Sequence, residues 1–558
     1  MALLMYLCAG LSLGFSAFCF IPAFVTGLWG FLLTFLYSAF ILAATFRFLK
    51  KSDRTTLSII RKTLEYLPFI LLTGFVFRRS GAEDGSFILD LSSIILWLVI
   101  CGLDIVILFR LSDKRIARSF PGLPVPVEKK KKLSVQIFEW VDALLQAACL
   151  VLLINIFIFQ LYAIPSESMV PEFMIGDRVV VIKTPSGPKF PLSEIGFPRL
   201  RSYKRGDIIV FSNPHYNDTK EARVRSFTSQ LVYMLTFTKV NINRDEFGAE
   251  KADPLVKRIT GIPGEKLMLV DGVLYNKTAS DSDFKPVTED AVWAAWNIAS
   301  LPRSELAQVQ RIPLSLEGFT QLESVESMRS NIDVGAAAEE AQRLVTRFAS
   351  LKPSKDTVRD VPDLFPRARR EIGAMNESND EMTRILLTTN GGLLWFRSFM
   401  TDWIGSAERA NLFDKESFHL DLLLKLNFGR LIVRNAELFA SNSTAAQFSS
   451  DKERTSFLAE AVLFHSYLNY HDQRNMGEFP AGKDAYIPAD NYFMMGDNRF
   501  NSLDMRHSYE YHLASVDLQD AYSFVYRSNL APQFVPVSRI LGSATFRFWP
   551  LSRAGIPE

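Results

Sequence analysis

The 558-residue sequence predicts a multidomain membrane protein, with four or five transmembrane α-helices at the N-terminus and then a mainly-β extracytoplasmic domain interrupted by a large α-helical insert. Three observations carry this reading. Apolar runs of membrane-spanning length crowd residues 1–160, the runs shorten to strand length after 160, and helical periodicity fills 278–485 before strand character returns. The boundaries that follow are 1–160, 161–277, 278–485 and 486–558. Division is expected on size alone, since single cores stop growing near about 250 to 300 residues.

In the first region, residues 3–21 and 24–47 read as a helical hairpin turning near Pro22. The next stretch, 57–77, carries Arg61, Lys62 and Glu65 in its first half, so it either crosses or is re-entrant. Residues 86–110 and 134–160 are two further spans, whose Asp90, Asp104, Glu139 and Asp142 must face a partner or an interface. Basic residues collect at Lys50, Lys51 and Arg54, and again at Lys114, Arg115, Arg118 and Lys129 to Lys132. Placing both clusters in the cytoplasm requires 57–77 to cross and leaves everything after 160 outside. Arg78 and Arg79 then fall on the outer side, partly offset by Glu83 and Asp84. A cleaved secretory signal in place of the first span is the alternative, but no basic residue precedes Leu3.

Beyond 160, Arg178–Lys183, Asp207–Phe211 and Lys266–Val270 are aliphatic and β-branched, bounded by Gly, Pro and Asp. Asp271-Gly272 between two apolar strands is a type I′ hairpin signal. In the insert, Ser450 and Glu453 read as a capping box ahead of an apolar face formed by Phe457, Leu458, Ala461, Val462, His465 and Leu468. Leu344, Val345, Phe348 and Leu351 make a second stripe. Strands resume at Tyr486–Met495 and Ile540–Trp549, which is economical only if the segments on either side of the insert share one sheet system.

Composition narrows the chemistry. Lys plus Arg number 62 against 60 acidic residues, so the chain lacks the global positive field of a nucleic-acid binder. The four cysteines, Cys8, Cys19, Cys101 and Cys149, all lie in the apolar runs, which leaves the large C-terminal part without a disulfide framework, a Cys-based zinc site or a Cys nucleophile. The six histidines include no H-E-x-x-H and no i, i+4 pair, so no metal or other cofactor is expected.

Three segments carry chemistry-grade residues. In Ala163-Ile-Pro-Ser-Glu-Ser-Met-Val-Pro171, two prolines hold Ser166 and Ser168 on a rigid extended backbone. Lys257 sits among Leu255, Val256 and Ile259 before a Pro263-Gly264 turn, where burial would lower its pKa. To be half neutral at pH 7 a lysine must fall by roughly 3.4 units. Gly496-Asp497-Asn498 is a turn followed by Asn501, Ser502, Asp504 and Arg506. Taken singly, these segments read equally as a juxtamembrane linker, an edge-strand lysine and a surface turn with a salt bridge.

In this order, P-S-E-S-M-V-P, R-G-D-I-I-V-F, K-R-I-T-G-I-P-G-E and G-D-N-R-F-N-S-L-D-M-R closely resemble the motifs of bacterial type I signal peptidase. The resemblance covers the last span, 162–277 and 486–553, with gaps. It implies a β domain of signal peptidase type, a serine endopeptidase on the outer face of the bacterial cytoplasmic (inner) membrane, and signal-peptide-bearing preproteins as substrates. Membrane lipid and the secretion translocon are the further partners implied. Ser168 would be the nucleophile and Lys257 its general base. The Ser168 N–H and the Ser166 hydroxyl would hold the oxyanion, Ser502 would orient the lysine, Asp504 and Arg506 would brace the segment, and Arg258 would support it. Shallow pockets near Tyr162, Ile164, Pro165, Met169, Phe173, Leu255 and Val256 would select small residues in an A-x-A cleavage site.

The departures are Glu265 in place of the usual Asp, the extra spans, an insert of about 200 residues and the additional stretch His507–Gln533. A specialised Ser-Lys processing peptidase and a non-catalytic scaffold of the same fold are the alternatives. The insert is expected to be a lid or platform. The aromatic-rich Leu393–Ile404 and Phe227–Phe237 are either core faces or surfaces that dip into the outer leaflet.

Overall fold

The computed structural model describes residues 1–558 except 21–24, 82–85, 113–114, 117–119, 121–132, 217–218, 237–238, 241, 245–250, 354, 358–362 and 407. Pro22, Glu83, Asp84, Lys114, Arg118, Lys129 to Lys132 and Phe237 therefore lie outside the described residues.

Five long helices open the chain: α1 (Ala2–Cys19), α2 (Val25–Lys51), α3 (Arg54–Gly81), α4 (Phe87–Arg110) and α5 (Leu133–Phe157). By length and composition, α1, α2, α4 and α5 are apolar enough to cross a membrane. Helix α3 is as long, at 28 residues, but polar in its first half. Those polar groups find partners on α5: Lys62 Nζ lies 2.5 Å from Asp142 Oδ2, Gln146 donates to Glu65 at 2.5 Å, and the Tyr66 hydroxyl donates to Asp142 at 2.8 Å. Helices α2 and α3 pack closely enough that a Cβ on Gly30 would sit 2.9 Å from the Gly74 carbonyl oxygen, which is why a side chain is missing there. Arg78 pairs with buried Asp90 of α4, and Arg79 donates to the Leu192 carbonyl at 2.9 Å, so both arginines are partnered within the fold.

A loop from the β region plugs this bundle. Phe190 is buried against Phe75, Trp97 and Phe157, and the Ser193 hydroxyl donates to Asp90 at 2.9 Å. Strand β1 (Phe159–Ala163) begins directly after α5 and pairs antiparallel with β2 (Arg178–Ile182). With β3 (Ile208–Phe211), β4 (Leu255–Gly261), β9 (Asn491–Met495), β12 (Val535–Pro536) and β13 (Ile540–Trp549) they form a seven-stranded sheet of order β1-β2-β13-β3-β4-β9-β12. Chain from both sides of the helical stretch thus shares one sheet. Strands β5 (Glu265–Val270), β6 (Val273–Thr278), β7 (Lys285–Pro286) and β8 (Met476–Phe479) form a second, of order β7-β6-β5-β8, with the turn at Asp271-Gly272. Strands β7 and β8 lie inside the 278–485 segment, so that segment is strand at both ends and helical between.

Between β3 and β4 runs α6 (Lys220–Leu235); the main helices of the insert are α7 (Leu316–Ser330), α8 (Val334–Leu351), α9 (Asn379–Thr388), α10 (Gly392–Thr401), α11 (Leu412–Ala440) and α12 (Lys452–Arg474). Helix α11 is buried on most sides, and α8, α9 and α12 pack around it. Two local expectations are corrected. The cap of α12 is Asp451, which accepts from the Arg454 N–H at 2.9 Å, while the capping box forms at Thr444 and Gln447. Val462 is exposed and Phe464 takes its place on the buried face, because that face runs Ala461, Phe464, Tyr467, Leu468 and His471. Trp395, Phe396, Phe399 and Trp403 are buried in the helical core, so Leu393–Ile404 is a core face and offers nothing to a bilayer. The hairpin of β10 (His507–Ser515) and β11 (Val525–Leu530) joins the same core through Phe524 and Tyr526.

Candidate active site

The site forms where the turn after β1, strand β4 and the turn after β9 meet. Antiparallel pairing sets Ile209 of β3 opposite Lys257 and Met495 of β9 opposite Arg258, which carries the Gly496–Asp504 turn to the end of β4. Lys257 Nζ lies 2.5 Å from Ser168 Oγ. The lysine is 3% exposed, and among the described residues no carboxylate forms an ion pair with it. Burial pulls its amine down to about 8, with Asp504 and Asp497 acting in the opposite direction. A lysine at that value has a substantial neutral fraction near physiological pH and can accept a proton from a neighbouring hydroxyl.

Ser168 is half-buried, and its carbonyl accepts from the Asn498 N–H at 3.2 Å. Ser166 Oγ lies 3.4 Å from Ser168 Oγ and is exposed, on the open side of the site. Gly496 backs Ser168 so closely that a Cβ there would fall 2.3 Å from the Ser168 carbonyl oxygen and 2.3 Å from Ser502 Oγ. Ser502 is buried, but the expected hydrogen bond from it to Lys257 is not formed; its hydroxyl has no partner among the described residues. The lysine amine is turned to Ser168 instead.

Asp504 and Arg506, both fully buried, pair through Arg506 Nε at 2.9 Å and Nη2 at 3.0 Å, and Asp504 also accepts from the Gly496 N–H at 2.9 Å. Burial pushes the Asp504 carboxyl up, but Arg506 and the Gly496 N–H outweigh it and hold the group well below the usual carboxylate range. The turn behind Ser168 is thereby tied to a buried ion pair. Burial, reinforced by Arg506, pulls neighbouring His507 down to about 4. Arg258 grips Asp497 with two bonds of 2.8 and 2.7 Å and reaches the Gly206 carbonyl at 3.0 Å.

A cavity of about 520 Å³ opens beside the Ser168–Lys257 contact. Tyr162, Ile164, Pro165, Met169, Leu255 and Val256 line it as expected. Phe173 does not: the turn that bonds its N–H to the Met169 carbonyl sends the ring into the core with Val179 and Val181, fully buried. Residues that sequence reasoning missed are Asp497, the partner of Arg258; Asn498, which ties the turn to the backbone of both Glu167 and Ser168; and Glu167 itself. The Glu167 carboxylate accepts from the backbone N–H groups of Gln310 and Arg311, so the start of the insert holds the segment that carries Ser168. The three-residue turn Gly496-Asp497-Asn498 was the available signal for the first two; for Glu167 it was Asn501, whose amide donates to its carboxylate at 3.3 Å, while the backbone partners leave no trace in residue type. Among the described residues no group of three His, Cys, Asp or Glu is arranged to hold a metal ion.

The sequence profile of the family described as "Signal peptidase, peptidase S26" matches residues 137–306 and 433–549, just over half of the chain. The chain belongs to the type I signal peptidase family. Among its relatives, signal peptidase I of Bacillus licheniformis is 28% identical over 148 residues, 26% of this chain and 54% of that protein. Signal peptidase I of Buchnera aphidicola subsp. Baizongia pistaciae is 29% identical over 147 residues, 26% of this chain and 36% of that one. Signal peptidase I P of Bacillus subtilis subsp. natto is 26% identical over 171 residues, 28% of this chain and 66% of that protein. The chain thus spans less than two thirds of the length of each of these relatives. The family match brackets most of the insert, from 307 to 432; it includes α11 only in part and α12 entirely.

Proposed function

We propose that this protein is a membrane-anchored serine endopeptidase that removes N-terminal signal peptides from exported preproteins. The observation that carries the reading is the buried lysine amine 2.5 Å from a serine hydroxyl, at the mouth of a cavity and without a carboxylate partner among the described residues. Neutral Lys257 takes the proton of Ser168 as the hydroxyl oxygen attacks the scissile carbonyl. The tetrahedral oxyanion is held by the Ser168 N–H and the Ser166 hydroxyl. The lysine ammonium then gives its proton to the departing amine, and water, deprotonated by the same amine, releases the acyl group. Asp504, Arg506 and Arg258 position the two segments, and Ser502 fills the space behind the nucleophile.

In this reading residues 1–160 anchor the enzyme, 161–277 and 486–558 build the catalytic domain on the extracytoplasmic side of the bacterial inner membrane, and 278–485 is a platform that braces the nucleophile through Glu167. Ser168 follows the end of α5 by one strand and a turn, so cleavage takes place near the membrane surface, where the apolar stretch of a signal peptide ends. Membrane lipid and the secretion translocon are the partners this implies. The test is cleavage of a preprotein bearing an A-x-A site by the purified full chain in lipid, beside Ser168→Ala and Lys257→Ala. Wild-type cleavage lost in both variants is the expected result; an inert wild type, or normal turnover by Lys257→Ala, overturns the proposal.

A further inference from the structure

Both flanks of Ser168 are held by one stretch of chain, 295–311 at the start of the insert. After the serine, Val170 and Met174 are buried against Ile298, with Ala295, Leu301 and Val309 packed around them. Before it, the Glu167 carboxylate accepts from the backbone N–H of Gln310 and, at 3.2 Å, from that of Arg311. The same stretch reaches the turn behind the site: the Ala295 N–H donates to the Asp497 carbonyl at 2.8 Å, and the Arg499 N–H donates to the Ala295 carbonyl at 3.1 Å.

Glu167 is 6% exposed, so its carboxylate needs donors from the protein, and the Asn501 amide supplies a third at 3.3 Å. Its carbonyl is held as well, by the Asn498 amide at 3.0 Å and the Val170 N–H at 3.1 Å. The peptide bond from Glu167 to Ser168 is trans, and the C=O and N–H of a trans peptide point in opposite directions. Fixing the Glu167 carbonyl on Asn498 therefore turns the Ser168 N–H away from that turn, and among the described residues this N–H donates to no other group. Ser166 and Ser168, whose groups would hold an oxyanion, are the two neighbours of this one anchored residue.

We propose that residues 295–311 act as a clasp that seats the nucleophile, and that Glu167 is the positioning residue through which the clasp aims the Ser168 N–H and the Ser166 hydroxyl at the oxyanion. Glu167 touches no reacting atom; it acts by fixing the peptide unit that carries the donor. The proposal rests on the peptidase reading and narrows the bracing platform to one stretch and one side chain. A glutamine in this place offers its oxygen to part of the donor set and turns its own N–H groups on the rest.

The experiment is preprotein cleavage by the full chain in lipid, as rates per folded molecule, for the wild type, Glu167→Gln, Asn501→Ala and the double variant. Glu167→Gln is expected to lose roughly 10- to 100-fold in kcat with KM little changed, as for a misplaced oxyanion donor. Asn501→Ala loses less, and the double variant no more than Glu167→Gln alone, because the two side chains act as a unit. The rising limb of the pH profile stays where the wild type has it, since Lys257 keeps its surroundings. Unchanged kcat in Glu167→Gln, a loss confined to KM, a displaced pH limb or losses that add in the double variant each overturn the proposal while leaving the peptidase intact. An inert wild type overturns it together with the function it rests on. Where Glu167→Gln does not fold, Asn501→Ala decides: a lower kcat at the same KM is expected, and an unchanged kcat overturns the clasp.

Discussion

Among the buried lysines of this chain, Lys425 and Lys257 keep opposite company. Lys425, in the helical region, is 1% exposed and is met by the carboxylates of Asp520 and Asp421. Lys257, in the β region, is 3% exposed and is met by a serine hydroxyl. The same burial therefore does two different jobs. Beside carboxylates it makes a structural ion pair, whose desolvation is offset by attraction; beside a hydroxyl, desolvation outweighs the opposing pull of Asp504 and Asp497 and lowers the amine to about 8. Nearby Asp504 and Asp497 are prevented from doing for Lys257 what Asp520 does for Lys425, because Arg506 and Arg258 already hold them. The arginines of the site act on the lysine by occupying its potential partners.

The comparison can be broken at its centre. Lys257→Arg keeps the charge and much of the bulk but cannot lose its proton, so cleavage is expected to fall by roughly 10³-fold or more, about as far as in Lys257→Ala; preprotein turnover measures it. Recovery of activity in the arginine variant would mean that charge, not a free amine, is what the site needs.

The helical lysine can be deprived of the carboxylates that distinguish it from Lys257. The double variant Asp421→Asn, Asp520→Asn leaves Lys425 buried and unpaired, and a stability loss of about 3 to 5 kcal/mol is expected in denaturant melts, with cleavage per folded molecule retained. An unchanged melt would show that the carboxylates are not what makes burial of Lys425 tolerable.

Gly496→Ala sharpens the geometry at Lys257 and Ser168. The added Cβ meets the Ser168 carbonyl oxygen and Ser502 Oγ, both at 2.3 Å, and must move the nucleophile. A loss of roughly 10²-fold in kcat is expected, as for an ångström-scale misplacement of a reacting group. Single-turnover cleavage separates this from a change in substrate binding.

The mildest test is pH. Since the amine is lowered to about 8 and its neutral form is the active one, kcat/KM should rise about tenfold per unit below that value and level off above it. Folding responds with the same sign: the folded chain releases this proton before the unfolded one does, so the contribution of Lys257 to stability rises with pH between about 8 and the ordinary lysine value. A flat activity profile from pH 6 to 9 would contradict a titrating lysine base.

Much of the site was legible because its chemistry is written in residue types with little freedom. A serine held between prolines, a lone lysine among aliphatic residues and a Gly-Asp-Asn turn each stand out, and their order along the chain identifies the family before any coordinate is known. What could not be read concerns direction. Phe173 is five residues beyond Ser168 and aromatic, features that suit a pocket wall equally well; the turn from Met169 decides that it faces the core. Ser502 has a hydroxyl suited to orient a lysine, yet the backbone places it behind Gly496. In the insert, Ser450 and Asp451 are neighbours of equal capping ability, and which of them starts α12 depends on where the helix packs, through Arg434, which bonds Asp451 at 3.0 and 2.6 Å.

The sequence by itself determined that apolar helices precede a β region, that a helical stretch divides it, and which hydroxyl and which amine could react, because periodicity and residue chemistry are local properties. Only the tertiary structure decided that Ser168 and Lys257, 89 residues apart, come into contact, that Arg258 beside the lysine and Arg506 from the last segment hold the nearby carboxylates, and that Phe190 anchors the β region in the helical bundle. These depend on strand register and on which side chains compete for the same partner, and neither is encoded in any short stretch of chain.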